Sequence, residues 1–248
     1  MTSKIGTLYD AFWNSRDIEP KPEKAYDILL QLSGGRRGKV LDAGCGKGFQ
    51  LLKRYRTLYG DGSSLHAMDV ISQEPEAGID YIKQDISERF PFESEFFDLV
   101  FCSEVLEHLT DPGACLSEIK RVLKKGGTAV LSVPNSTGHF PFHRISWLPG
   151  AWLRLKLLPY ENPHNTTQPV DTQLQYREIE DIMRRSGLKI TGIIGWRCFR
   201  YMLSFPVIRN FYAPVSAFVD DFANRHGLQK FAYNIFIACK KDDNCSMR

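Results

Sequence analysis

Three short stretches place chemistry-bearing residues where strands should end. The first is Val40-Leu41-Asp42-Ala43-Gly44-Cys45-Gly46-Lys47-Gly48, an apolar run passing into Gly-x-Gly-x-Gly. Glycines there let the backbone turn sharply and approach a ligand where any Cβ would collide. The second is Asp69, 21 residues after Gly48. A carboxylate at that place can accept both hydroxyls of a ribose. The third is Asp85-Ile86, where a carboxylate and a backbone amide can read an adenine edge while the isoleucine packs on the ring. Each acid taken singly can equally serve as the N-cap of a following helix. Together, at successive strand ends, they describe one ligand site. A fourth stretch is Glu104-Val105-Leu106-Glu107-His108. On a helix, positions 104, 107 and 108 share a face, so two carboxylates and an imidazole can converge on a divalent cation with a position open for a substrate oxygen. His108, His139 and His143 are also candidates for a general base, with His164 near them in sequence. His66 and His226 read as structural.

These residues need elements to hold them. Residues 22–33 show apolar residues at helical spacing, stopped by Gly34-Gly35. Buried strands are expected at Lys39–Asp42, Ser64–Val70, Asp80–Ile86, Phe97–Ser103 and Thr128–Val133. Helices are expected at Phe49–Tyr59 and Pro112–Leu123, the second closed by Lys124-Lys125-Gly126-Gly127. Alternating strands and helices imply parallel crossovers, hence a doubly wound α/β sheet covered on both faces. Residues 135–172 carry five prolines with aromatics between them, a long insertion rather than a turn. Then follow a helix at Tyr176–Ser186, a strand at Leu188–Ile194, a mostly helical stretch at Phe199–Asn224 interrupted at Pro206 and Pro214, and a last strand at Tyr233–Cys239. The two late strands suit an antiparallel pair at one sheet edge.

The 248 residues are 43% hydrophobic and 25% charged, the make-up of an ordinary globular protein able to bury a full core. A formal charge of +3 argues against a strongly basic nucleic-acid-binding domain. Residues 1–135 hold 17 basic and 20 acidic side chains, net −3, and residues 136–248 hold 15 and 9, net +6. No apolar run reaches the roughly 18 residues of a membrane span, and the start lacks a signal-peptide core. Six scattered cysteines without a CxxC pair read as reduced thiols, so a cytoplasmic location is expected.

A nicotinamide-dependent oxidoreductase is the main competing enzyme class, but its G-x-G-x-x-G spacing puts the third glycine one residue later than Gly48. A non-catalytic binding protein on the same fold is the other alternative. VLDAGCGKG, HAMDV, KQDI, FDLVFCSEVLEHLTDP and RVLKKGGTAVLSVPN together resemble the class I S-adenosylmethionine-dependent methyltransferases, most of all the group related to ubiquinone and menaquinone biosynthesis methyltransferases. The resemblance covers about residues 36–135 well and the remainder in outline. It implies a Rossmann-like, mostly parallel seven-stranded sheet with an antiparallel edge strand and a helical, aromatic-rich lid insertion. It also implies S-adenosylmethionine as cofactor and in-line methyl transfer to a small-molecule, glycan or lipid-like acceptor, with oxygen favoured as the acceptor atom.

Carried over by position, Asp42, Gly44, Cys45 and Gly46 border the methionine part of the cofactor. Asp69 holds the ribose, Val70 packs beside the adenine, and Asp85 and Ile86 bind it. Ser103 places its backbone by the sulfonium, and an N-terminal segment with Tyr9 and Trp13 closes over the site. Metal-using relatives add a histidine shortly before the helix after the insertion. The matching stretch here, Pro169-Val170-Asp171-Thr172-Gln173, has none, so no metal is assigned. The expected organisation is one domain over 1–248: a helical cap at 1–35, the cofactor core at 36–135, acceptor-side lid elements at 136–172 and 199–228, and a loose tail at 242–248. The lid's aromatics (Phe140, Phe142, Trp147, Trp152, Phe199, Tyr201, Phe205, Phe211, Tyr212) and bases (Arg144, Arg154, Lys156, Arg197, Arg200, Arg209) suit an amphipathic or lipid-linked acceptor. They also allow a peripheral membrane contact. Nucleic acid is not favoured as a partner, and the oligomeric state is open.

Overall fold

A computed structural model describes residues 22–135, 172, 174–198 and 206–241, with the backbone alone for 206–213. The elements are α1 (Glu23–Ser33), β1 (Lys39–Ala43), α2 (Gln50–Tyr59), β2 (Ser64–Asp69), β3 (Ile79–Lys83), β4 (Phe97–Ser103), α3 (Pro112–Val122), β5 (Leu123–Pro134), α4 (Tyr176–Ser186), β6 (Leu188–Cys198), α5 (Pro206–Arg225) and β7 (Ala232–Lys241). No helix among the described residues is long and apolar enough to cross a membrane.

The strands form one seven-stranded sheet in the order β3-β2-β1-β4-β5-β7-β6. β1 to β5 pair in parallel, and β7 pairs antiparallel with both β5 and β6. The expected antiparallel pair therefore does form the sheet edge, with β7 as the reversed inner member and β6 outermost. Order reverses between β1 and β4, which opens the crevice where ligands bind in such sheets.

Strand side chains alternate between two faces. Val40, Ala67, Leu99, Phe101, Val130 and Phe236 pack with Leu29 of α1 and Leu52 and Tyr55 of α2. Leu41, Met68, Val100, Cys102, Leu131 and Ile237 pack on the other side with Leu116 and Ile119 of α3 and Met183 of α4. Both faces are thus covered, which is why the strands read as nearly unbroken apolar runs. Local chemistry sets the helix ends. Asp111 caps α3 by accepting from Ala114 N at 3.0 Å, with Pro112 in the first turn. Glu178 closes a capping box on α4.

Several boundaries differ from the sequence expectation. Phe49 lies at φ 53, outside the right-handed helical region, so α2 starts at Gln50 after a short 3-10 turn. β3 stops at Lys83 because Asp85 turns the chain just beyond. Lys124-Lys125-Gly126-Gly127 does not separate helix from strand. Leu123 already pairs with Phe97, and the glycines lie in a register shift of β5. β6 runs on to Cys198, and Pro206 opens α5, where its missing N–H costs nothing.

Candidate functional site

The glycine loop leaves β1 between two strand ends. Gly44 donates to Met68 O at 2.8 Å and sits at φ 80. A Cβ there would stand 2.3 Å from Val105 Cγ2, so the loop and the segment after β4 approach too closely for any side chain. Gly46, at φ 62, shows the opposite: among the described residues no heavy atom lies within 4 Å of its would-be Cβ. Among the described residues the loop thus packs against protein at Gly44 and is uncovered at Gly46.

Asp69 ties the loop to the end of β2. Its Oδ2 accepts from Gly46 N at 2.8 Å and its Oδ1 from Ile71 N at 3.2 Å. Two divergent N–H partners hold the carboxylate in one orientation. Gln73 completes the clamp, with Nε2 donating to Gly46 O at 3.1 Å and Oε1 accepting from Gly48 N at 2.9 Å. Asp42, at the end of β1, is 2% exposed. Burial pushes the Cys45 thiol well up, and the charges of Asp69 and Asp42 push it further. Cys45 is therefore a neutral thiol rather than a nucleophile, and the field that holds it so favours a cationic ligand.

Asp85 accepts from both the backbone N and the hydroxyl of Ser87, at 2.9 and 2.7 Å. No α-helix follows Asp69 or Asp85 within residues 70–96, so neither acid serves as a helix N-cap. Ile86 is buried with Phe90 in the core beneath, and Val70 is half-buried beside Asp69. At the end of β4, Ser103 and Ser132 pair their hydroxyls at 2.7 Å.

The next stretch corrects the expected helix. Glu104 is left-handed at φ 53 and donates its N–H to Ser132 O, and only Leu106–His108 form a 3-10 turn. Positions 104, 107 and 108 therefore do not share a helical face. Glu104 Oε1 accepts from Asn234 Nδ2 at 3.1 Å. Glu107 is buried, with His108 Nε2 at 3.8 Å from its Oε1. Among the described residues no group of three His, Cys, Asp or Glu side chains is arranged to hold a metal ion. Thr172 N donates to Glu107 O at 2.8 Å, so the chain returns from the insertion beside this turn.

His139, His143, His164, Tyr9, Trp13 and the lid aromatics and bases at 140–160 and 199–205 lie outside the described residues, as do the side chains of Arg209, Phe211 and Tyr212. Two residues absent from the sequence expectation, Gln73 and Asn234, join the rim of the site. Gln73 carries no signal in a polar loop. Asn234 does, as a lone amide inside the apolar run Tyr233–Cys239.

The family described as "Methyltransferase domain" matches residues 41–131. The chain is 31% identical over 182 residues to a ubiquinone biosynthesis O-methyltransferase of Klebsiella pneumoniae, covering 67% of this chain and 69% of that protein. It is 33% identical over 179 residues to the protein of the same description from Xanthomonas oryzae, covering 65% and 70%. The fold resembles geranyl diphosphate C-methyltransferase from Streptomyces coelicolor, with TM-score 0.59, 15% identity and coverage of 96% and 98%. It also resembles Haemonchus contortus phosphoethanolamine N-methyltransferase 2, with TM-score 0.58, 19% identity and coverage of 96% and 57%. The glycine loop, with Asp69 bonded to Gly46 N and the charges of Asp69 and Asp42 acting on Cys45, fits the sulfonium cofactor of such enzymes. With S-adenosylmethionine as its methyl donor, the chain belongs to the class I S-adenosylmethionine-dependent methyltransferases.

Proposed function

We propose that this enzyme methylates a hydroxyl group on a small, partly apolar or lipid-linked acceptor. The observation that carries the reading is the polar rim just past the glycine loop. There the Ser103–Ser132 hydroxyl pair and the Glu104–Asn234 pair sit at the ends of β4, β5 and β7, over otherwise apolar strands. Two relatives with more than 30% identity are O-methyltransferases by description, which supports oxygen as the acceptor atom.

In this reading Asp42, Gly44, Cys45 and Gly46 border the methionine part of the cofactor. Asp69 takes the ribose hydroxyls, Val70 lies beside the adenine, Asp85 and Ile86 bind it, and the Ser103 backbone faces the sulfonium. Bound there, the cofactor supplies a methyl group already activated for displacement. The chain's own task is to hold a hydroxyl oxygen in line with it, and orientation alone removes several kcal/mol of barrier. A hydroxyl also needs a proton acceptor as it reacts. Glu104 stands at the rim for that role, and His108, His139 and His143 are further candidates. Residues 36–135 form the cofactor half, and residues 136–172 and 199–228 form the acceptor half. The outer face of α5, where Val215, Phe218 and Phe222 are exposed at positions i, i+3 and i+7, supports a peripheral contact with membrane.

The test is transfer of labelled methyl from S-adenosylmethionine to a panel of phenols, catechols and prenylated phenols. Product cleavable as a methyl ether supports the reading. Label found only on ring or chain carbon, or no transfer to any member of the panel, refutes it.

A further inference from the structure

Asn234 is 4% exposed and lies on β7 opposite Pro134 of β5 and Trp196 of β6. Its Nδ2 donates to Glu104 Oε1 at 3.1 Å. A carboxylate only accepts, so this contact fixes which way round the amide sits. The amide oxygen is then left buried with no hydrogen-bond partner among the described residues. Buried acceptors are almost always satisfied, and an exception next to a ligand site calls for a donor that arrives with the ligand.

The oxygen cannot easily relax. Asn135 anchors the start of β7, its Nδ2 donating to Lys230 O at 3.0 Å and Ala232 O at 2.8 Å and its backbone N to Tyr233 O at 2.7 Å. Trp196, paired with Asn234 across β6 and β7, packs on Phe236 two residues further along β7, with ring centroids 6.3 Å apart. Position also says which ligand. In the order β1-β4-β5-β7, Asn234 stands three strand spacings from the glycine loop, roughly 14 Å at about 4.8 Å each. That is past the loop assigned to the methionine part of the cofactor, on the acceptor side.

We infer that Asn234 is a specificity-determining residue: its amide oxygen accepts a hydrogen bond from a hydroxyl of the methyl acceptor, while its amide nitrogen holds Glu104 at the same rim. The inference rests on the hydroxyl-acceptor reading above. A site with a buried acceptor group strongly rejects an analogue that lacks the donor, because the group is then left unpaired.

The experiment titrates protein saturated with S-adenosylhomocysteine with catechol and with 1,2-dimethoxybenzene, which has the same ring but no O–H. Wild type should prefer catechol at least about tenfold, and Asn234→Leu should lose that preference while binding S-adenosylhomocysteine within about twofold of wild type. Asn234→Asp is isosteric and keeps an acceptor oxygen, with a proton shared between the two facing carboxylates, and should keep the preference. It serves also if the leucine variant melts early. A leucine variant that still prefers catechol overturns the inference alone. A parallel loss of S-adenosylhomocysteine affinity overturns it by placing Asn234 in the cofactor site. Wild type that shows no preference overturns the inference alone if the panel above still yields a methyl ether, and overturns the hydroxyl reading with it if no member of that panel does.

Discussion

Replacing Asp69 with alanine should damage cofactor affinity far more than folding. The side chain accepts from Gly46 N at 2.8 Å and from Ile71 N at 3.2 Å. A hydrogen bond to a charged acceptor contributes roughly 1.5–3 kcal/mol. Gly46 N faces open loop and can turn to water, so the folding cost is closer to one such bond than two. We expect a loss of about 2 kcal/mol and a fall in Tm of roughly 4–8 °C for a chain of this length. Binding loses more. Two ribose hydroxyls bonded to one carboxylate contribute roughly 3–6 kcal/mol, so Kd for S-adenosylhomocysteine should rise by a factor of about 10² to 10⁴. Asp69→Asn keeps one acceptor oxygen and should fall between the two. Isothermal titration, with a thermal melt of each variant, checks both numbers. An Asp69→Ala protein that melts early yet binds the cofactor within about threefold of wild type would refute the assignment of Asp69 to the ribose.

Further outcomes follow from the same geometry. Gly44→Ala must fit a Cβ 2.3 Å from Val105 Cγ2 at φ 80, and should destabilise by about 2–4 kcal/mol in chemical denaturation. An unchanged midpoint would show that the loop does not pack as described. Gln73→Leu removes the bonds to Gly46 O and Gly48 N and should weaken S-adenosylhomocysteine binding about tenfold while moving Tm only slightly. A normal Kd would mean that the loop holds itself. Burial pulls His66 below its usual 6.5, Asp80 pulls it back up and Lys39 adds to the lowering. The unfolded chain therefore takes up this proton first. Stability should hold above 6.5 and decline as pH falls from there toward the folded-state value. Denaturation midpoints of wild type and His66→Gln at about pH 7 and about pH 5 test this, and an equal drop in both excludes His66 as the source.

The half of the sheet around the glycine loop is legible in the sequence because its signals are local. Gly44, Gly46 and Gly48 announce a left-handed loop by residue type, and the alternation of Val40 with Leu41 and of Leu99 with Val100 announces two covered faces. Glu104 is not legible in this way, for the opposite reason. Three residues at helical spacing suggest a helix, but the N–H of Glu104 is taken by Ser132 O on the neighbouring strand, and that long-range bond overrides the local pattern. The Lys124–Gly127 stretch misled similarly. It looks like a stop signal, yet Phe97 recruits Leu123 into the sheet before the glycines are reached.

The sequence by itself determined the fold class, the glycine loop and the acids beside it, because each rests on a few adjacent residues or on a short repeat of hydrophobicity. Only the tertiary structure decided which distant residues meet at the rim. Gln73 reaches back across 27 positions to Gly46, Thr172 closes on Glu107, and Asn234 meets Glu104 across 130 positions. Those meetings depend on strand order. β7 inserts between β5 and β6, which carries a lone amide from the end of the chain to the mouth of the crevice. Nothing local to Asn234 encodes that neighbour. The long-range pairing of the sheet does.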